Sequence, residues 1–194
     1  MSRTITVTFD YRCPFAYNGN ATLMAGADRL GIEARYLAFS LDQVHVGDGE
    51  TAMWDRDPAE WGSGIRALLL GIAARDAFPE VFPEVHLALF AARHDHGLRI
   101  DDETVLRDVV ASAGADPQAL VDEIASGRPL KTLEAEHNEG VDRWGVWGVP
   151  TFIDGDDTAF VRLMERDNVD DLERVLALLP LVTINEFKRP RIER

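Results

Sequence analysis

The chemistry this chain could perform centres on one thiol. Cys13 is the only cysteine among 194 residues, and it stands in Phe-Asp-Tyr-Arg-Cys-Pro-Phe-Ala-Tyr (residues 9–17), between an alternating apolar run and a helical pattern. A sulfur at a strand-to-helix turn meets backbone N–H groups that lack intrahelical partners and the positive end of the helix dipole, so the thiolate is favoured over the thiol. Pro14 suits the first helical position, where no N–H is needed. Lowering a free-cysteine pKa near 8.5 by ~2 units takes ~2.7 kcal/mol of differential stabilisation, and Arg12 is the adjacent cation available for it. The competing reading is a small, inert, buried hydrophobe.

Other chemistries are poorly served. A single cysteine excludes an internal disulfide and a multi-cysteine zinc site. The balance of 20 basic against 34 acidic residues gives a net charge of −14, which repels phosphate backbones and anionic lipid, so neither nucleic acid nor membrane is an expected partner. No run of about 18 apolar residues is present, and no Gly-x-Ser-x-Gly or phosphate-binding glycine loop appears. His94-Asp95-His96, with His86 and His137, resembles a metal cluster. Side chains at i and i+2 do not share a helix face, however, and no metal is expected. His137 is a weak candidate acid or base. Tyr11, Phe15, Tyr17, Trp144 and Trp147 flank the interesting segments; most read as core, with Trp147 the one expected to face a substrate.

The elements that must position Cys13 follow from pattern. Residues 4–9 alternate polar and apolar and read as a half-buried strand. Pro14–Leu30 carries helical spacing and stops at Gly31, and residues 33–39 form a second strand, giving a parallel βαβ unit. Residues 42–64, rich in Gly and Pro, read as a loop with a short helix. Helices are predicted over 65–78, 83–96, 102–113, 116–125 and 129–142, the last leading through Trp144 into a segment that returns to strand. Residues 151–153 and 158–163 pair across Asp154-Gly155-Asp156-Asp157 as a hairpin, and a final helix spans 169–179. The basic tail with Lys188, Arg189, Arg191 and Arg194 is expected at the surface. The direct passage from Met1 into strand reads as a cytoplasmic protein.

The order β-α-β, helical block, β-β-α gives an α/β fold, a four-stranded mixed sheet with helices on both faces and a helical insertion. Together with Cys-Pro-Phe-Ala after the first strand, His86-Leu87-Ala88-Leu89-Phe90-Ala91-Ala92 in the insertion, and Gly145-Val146-Trp147-Gly148-Val149-Pro150-Thr151-Phe152, the chain resembles the DsbA-like branch of the thioredoxin superfamily. That branch holds DsbA and FrnE-type oxidoreductases, kappa-class glutathione transferases and 2-hydroxychromene-2-carboxylate isomerases. The resemblance implies a discontinuous thioredoxin-like domain (1–45 and 143–194) carrying a linker and helical insertion (46–142). It also implies a cis Val149-Pro150 peptide facing Cys13; without it, a trans proline opening an edge strand would be the simpler reading.

The sequence departs from both halves of that branch. Cys-x-x-Cys is reduced to Cys-x-x-Ala by Ala16, so Cys13 would depend on an external thiol to complete any exchange cycle. The serine that transferases and isomerases use is replaced by Cys13 itself. The expected activity is a monothiol oxidoreductase with Cys13, Pro14, Val149 and Pro150 at the reacting centre. Arg12, Phe15, Ala16, Trp147, Asp167 and Asn168 would contact a low-molecular-weight thiol, glutathione or its equivalent. Asp167 and Asn168 stand near the place of the family's γ-glutamyl contact, while their position just before the final helix reads first as an N-cap. The alternatives are a thiol-dependent transferase or isomerase, and a redox-inactive binding module. Partners would be a small thiol or a protein disulfide, with a homodimer among the open assemblies.

Overall fold

The computed structural model describes residues 3–181, 183–186 and 188; Arg189, Arg191 and Arg194 of the basic tail lie outside them. In chain order the elements are β1 (Arg3–Phe9), α1 (Pro14–Leu30), β2 (Ile32–Ala38), α2 (Leu41–Val44), α3 (Ser63–Ala77), α4 (Phe82–His94), α5 (Glu103–Ser112) and α6 (Pro117–Ala125). They continue with α7 (Arg128–Trp144), β3 (Thr151–Asp154), β4 (Asp157–Phe160) and α8 (Val169–Leu178). The sheet order is β2-β1-β3-β4. β1 and β2 are parallel, while β3 pairs antiparallel with both β1 and β4.

β1 is therefore central, and this changes its burial. Alternation predicts one wet face, yet Thr6 and Thr8 are buried along with Ile5, Val7 and Phe9. Helices α1 and α8 cover the face that bears Ile5, Val7 and Phe152. On the other side α7 lies along β2, with Gly140 against Leu37 and Phe39. A buried threonine hydroxyl must find a partner. The Thr8 hydroxyl accepts the Thr151 N–H at 2.8 Å, which ties β1 to β3.

The inserted helices do not form a separate core. Phe9 and Tyr11, at the end of β1, share one apolar cluster with Leu68 and Ile72 of α3 and Phe90 of α4. A division at residue 142 also cuts α7 from the sheet it covers. Trp144 ends that helix rather than opening a strand, and its indole N–H donates to the Gly155 carbonyl at 3.0 Å.

A buried polar relay locks α4 to α1. The Asn20 amide donates to the carbonyls of Ala16 (2.8 Å) and Thr8 (3.3 Å), so its Oδ1 must be the acceptor facing His86 Nε2 at 3.1 Å. That assignment puts the proton of His86 on Nε2 and leaves Nδ1 to accept from the Tyr11 hydroxyl at 2.8 Å. Burial, with help from Arg75, holds the His86 pKa down at about 3, so the ring is neutral and every polar atom of the relay is satisfied.

Candidate active site

The site forms where β1 hands over to α1. Cys13 is the N-cap of α1: its sulfur accepts the Ala16 N–H at 3.4 Å, in the place a cap oxygen usually takes. The same sulfur donates to the Val149 carbonyl at 3.3 Å. Pairing of Thr6 with Ile153 and Val7 with Phe152 carries the residues before β3 past the Cys13 turn. The Val149-Pro150 peptide there is cis. Gly19, one turn into α1, makes room for this contact, since a Cβ on it would lie 3.1 Å from two carbons of the Pro150 ring. Cys13, Pro14, Val149 and Pro150 are thus brought together, with Ala16 fully buried beneath the sulfur.

The electrostatics differ from the expectation of an acidic thiol. Burial pushes the Cys13 pKa above the ordinary value and outweighs the Ala16 and Phe15 N–H groups, which pull it down; Asp10 adds to the rise and Arg162 opposes it. The helix terminus is present but is not the dominant influence. A sulfur that donates one hydrogen bond and accepts another is a thiol, not a thiolate. The iodoacetamide rate at Cys13 in the free protein is therefore expected to climb with pH along a curve displaced to higher pH than that of a free thiol. A midpoint near or below neutrality would contradict this.

Arg12 is not the cation beside the sulfur. Its guanidinium turns away to Asp42 (2.5 Å) and to buried Asp10 (3.7 Å). Asp10 also accepts the N–H groups of Arg12 and Leu41, both at 2.8 Å, and so fixes the loop that precedes Cys13. Burial raises the Asp10 pKa against these bonds. The cation on the sulfur side is Arg162, which follows β4 and lies 5.4 Å from the Phe15 ring centre and 5.7 Å from that of Phe160. Sequence patterning offered no signal for Arg162. Asp10 lies inside the first motif and was legible only as a neighbour.

Trp147 is 66% exposed and packs against Phe160 with ring centres 4.5 Å apart, so Phe15, Phe160, Trp147 and Arg162 form an aromatic and cationic shelf. Tyr11 and Tyr17 are core residues. Asn168 caps α8 by accepting the Asp171 N–H at 3.1 Å. Asp167 sits in the left-handed region at φ 62° with its N–H on the Thr22 hydroxyl at 3.0 Å. No contact joins either residue to Cys13 among the described residues.

His94 and His137, like His86, are accounted for locally. His94 Nε2 donates to the Tyr11 carbonyl at 2.9 Å, and Asp95 takes Arg166 in a two-pronged pair together with the Tyr17 hydroxyl. His137 accepts the Ser40 N–H at 3.2 Å and stacks on Phe39, with its pKa lowered to about 4 by burial. It supports the end of β2 and is not an acid or base at Cys13. Among the described residues no three His, Cys, Asp or Glu side chains gather to hold a metal.

A thiol capping a helix, facing a cis-proline across a four-stranded mixed sheet with an inserted helical block, defines a thioredoxin-fold protein. The chain belongs to the DSBA-like thioredoxin domain family, which matches residues 4–177. It is 27% identical over 153 residues to the uncharacterized protein Rv2286c of Mycobacterium tuberculosis, which covers 78% of this chain and 65% of that one. The chain thus spans just under two thirds of that relative. Among solved structures, the cytosolic disulfide reductase DsbM of Pseudomonas aeruginosa with GSH superposes with a TM-score of 0.64 at 19% identity, covering 93% of this chain and 100% of that one. A 2-hydroxychromene-2-carboxylate isomerase gives 0.62 at 22% identity, covering 93% and 97%. The thiol-disulfide exchange protein α-DsbA2 of Wolbachia pipientis gives 0.66 at 17%, covering 92% and 82%. No helix among the described residues is long and apolar enough to cross a membrane.

Proposed function

We propose that the protein is a monothiol thiol-disulfide oxidoreductase in a reducing, cytoplasmic setting, with Cys13 as nucleophile and a low-molecular-weight thiol as the resolving partner. The observation that carries the proposal is the placement of a reachable sulfur between the Ala16 N–H and the Val149 carbonyl, with no second thiol behind it. The Cys13 thiol first loses its proton to solvent. Its thiolate attacks one sulfur of a disulfide R–S–S–R, forming Cys13–S–S–R and expelling RS⁻. A second thiolate then attacks the R-side sulfur, giving a new small disulfide and returning Cys13 as thiolate. Deprotonation also frees the Val149 carbonyl to accept an N–H from the partner molecule.

One observation favours a second reading. Cys13 is held as a thiol that donates a hydrogen bond, the role the family resemblance gives to serine in the transferase and isomerase relatives. In that case the S–H would turn from Val149 to a bound cofactor thiolate and hold it without exchanging bonds.

Incubation with a panel of small disulfides, glutathione disulfide among them, tests the first reading through the intact mass. One half-disulfide adduct per chain is expected, removable by the matching thiol. Failure of every disulfide to leave an adduct at Cys13 would refute exchange.

A further inference from the structure

An open basin of about 600 Å³ adjoins Pro14, lined by Arg12, Ser63, Arg93, His94 and Arg99 among others. It sets three guanidinium groups against a single carboxylate, Asp101, in a chain whose net charge is −14. That carboxylate is already held by Arg99 through two hydrogen bonds of 2.8 and 3.2 Å. Arg12 is paired to Asp42 and, through Nε at 3.7 Å, to Asp10, yet that buried Nε has no hydrogen-bond partner. The Arg93 side chain makes no ion pair or hydrogen bond among the described residues, although its charge acts on Asp101 through space. Concentrating cations in a strongly acidic protein opposes the mean field of the chain, and an unpaired guanidinium at a concave surface is a ready partner for a carboxylate. His94 adds no charge: burial is the main influence lowering its pKa, and its Nε2 is committed to the Tyr11 carbonyl.

We propose that this basin is an anion subsite that seats a carboxylate of the small disulfide reacting at Cys13, with Arg93 as its principal contact. The proposal rests on the thiol-exchange reading for its biological meaning, since Pro14 links the basin directly to the nucleophile. The site selects acidic thiols and their disulfides over neutral ones. Any effect of Arg12, Arg93 or Arg99 on the reactivity of Cys13 itself would change its rate with neutral disulfides as well, which separates the two.

The test is the stoichiometric reaction of Cys13 with two aromatic disulfides, dianionic 5,5′-dithiobis(2-nitrobenzoate) and neutral 4,4′-dithiodipyridine. Each reaction forms a mixed disulfide and expels one chromophoric thiolate. Arg93→Gln should slow the dianionic reagent by about threefold or more while leaving the neutral one unchanged. Arg99→Gln, at a side chain 78% exposed and so dispensable to folding, should move the ratio of the two rates in the same direction. Lys131→Gln, which removes one positive charge outside the basin, should leave that ratio alone. An unchanged ratio in both arginine variants, or an equal fall in Lys131→Gln, overturns the subsite. Because this reaction needs no turnover, loss of catalytic exchange with small thiols would refute the proposed function while leaving the subsite standing.

Discussion

Cys13→Ser is expected to reduce disulfide exchange to the uncatalysed background while leaving the fold intact. A serine hydroxyl can repeat both contacts of the sulfur, accepting the Ala16 N–H and donating to the Val149 carbonyl. It is a better N-cap than a thiol, so the melting temperature should hold or rise slightly. What it cannot do is cleave an S–S bond at neutral pH, because its proton is far less acidic and the oxygen forms no stable counterpart of a mixed disulfide. The variant therefore separates the two readings of the site. A protein that uses Cys13 only to orient a cofactor thiolate should keep much of its rate as Cys13→Ser, since the hydroxyl is a stronger donor than the thiol. Assaying reductase activity on a small mixed disulfide and conjugation of a thiol to an electrophile, with both forms of the protein, gives opposite outcomes for the two mechanisms.

The contrast between what was legible beforehand and what was not follows the range of the interactions. The span of α1 could be read because its limits are set locally, by proline at the first helical position and Gly31 in a left-handed C-cap. The return to strand after Pro150 was legible from the β-branched and aromatic run at 151–153, whereas the cis form of the Val149-Pro150 peptide followed only from the family resemblance. Burial of β1 was not, because a threonine-rich alternating strand looks the same whether one face or both are covered. Arg12 was assigned to the thiol on proximity in sequence, but its direction depends on Asp42, which comes from α2, beyond β2. Arg162 reaches the site only through the β3–β4 hairpin, nearly 150 residues away. For the thiol itself the helix-terminus argument was correct in sign. It lost to desolvation, which depends on how closely Val149 and Pro150 approach, and no local pattern reports that distance.

Gly71→Ala is expected to destabilise the protein by about 3–5 kcal/mol, against the naive expectation from helix propensity of a gain near 1 kcal/mol. Gly71 lies inside α3, and a Cβ there would overlap the Tyr11 hydroxyl oxygen and sit 2.9 Å from two of its ring carbons. The Tyr11 ring has nowhere to go. It is fully buried, edge-on to Phe9 and Phe90, and its hydroxyl is the donor that satisfies His86. The variant must therefore either move α3 away from the core or push Tyr11 off His86, stranding a buried acceptor. Urea denaturation of both proteins measures the loss, which would be a large share of the 5–15 kcal/mol typical of a domain. Tyr11→Phe supplies the internal check. Alone it destabilises, because His86 Nδ1 loses its donor; in the Gly71→Ala background it removes the worst overlap and should restore part of the lost stability. The same displacement should reach the active site. Tyr11 stands two residues before Cys13, and its carbonyl holds His94 at the edge of the cationic basin. The folded fraction of Gly71→Ala should accordingly show an altered alkylation rate at Cys13, with the Tyr11→Phe double variant moving back toward the wild-type value. Unchanged stability in Gly71→Ala would mean that α3 yields without cost and that the Tyr11–His86–Asn20 relay does not hold the Cys13 turn in place.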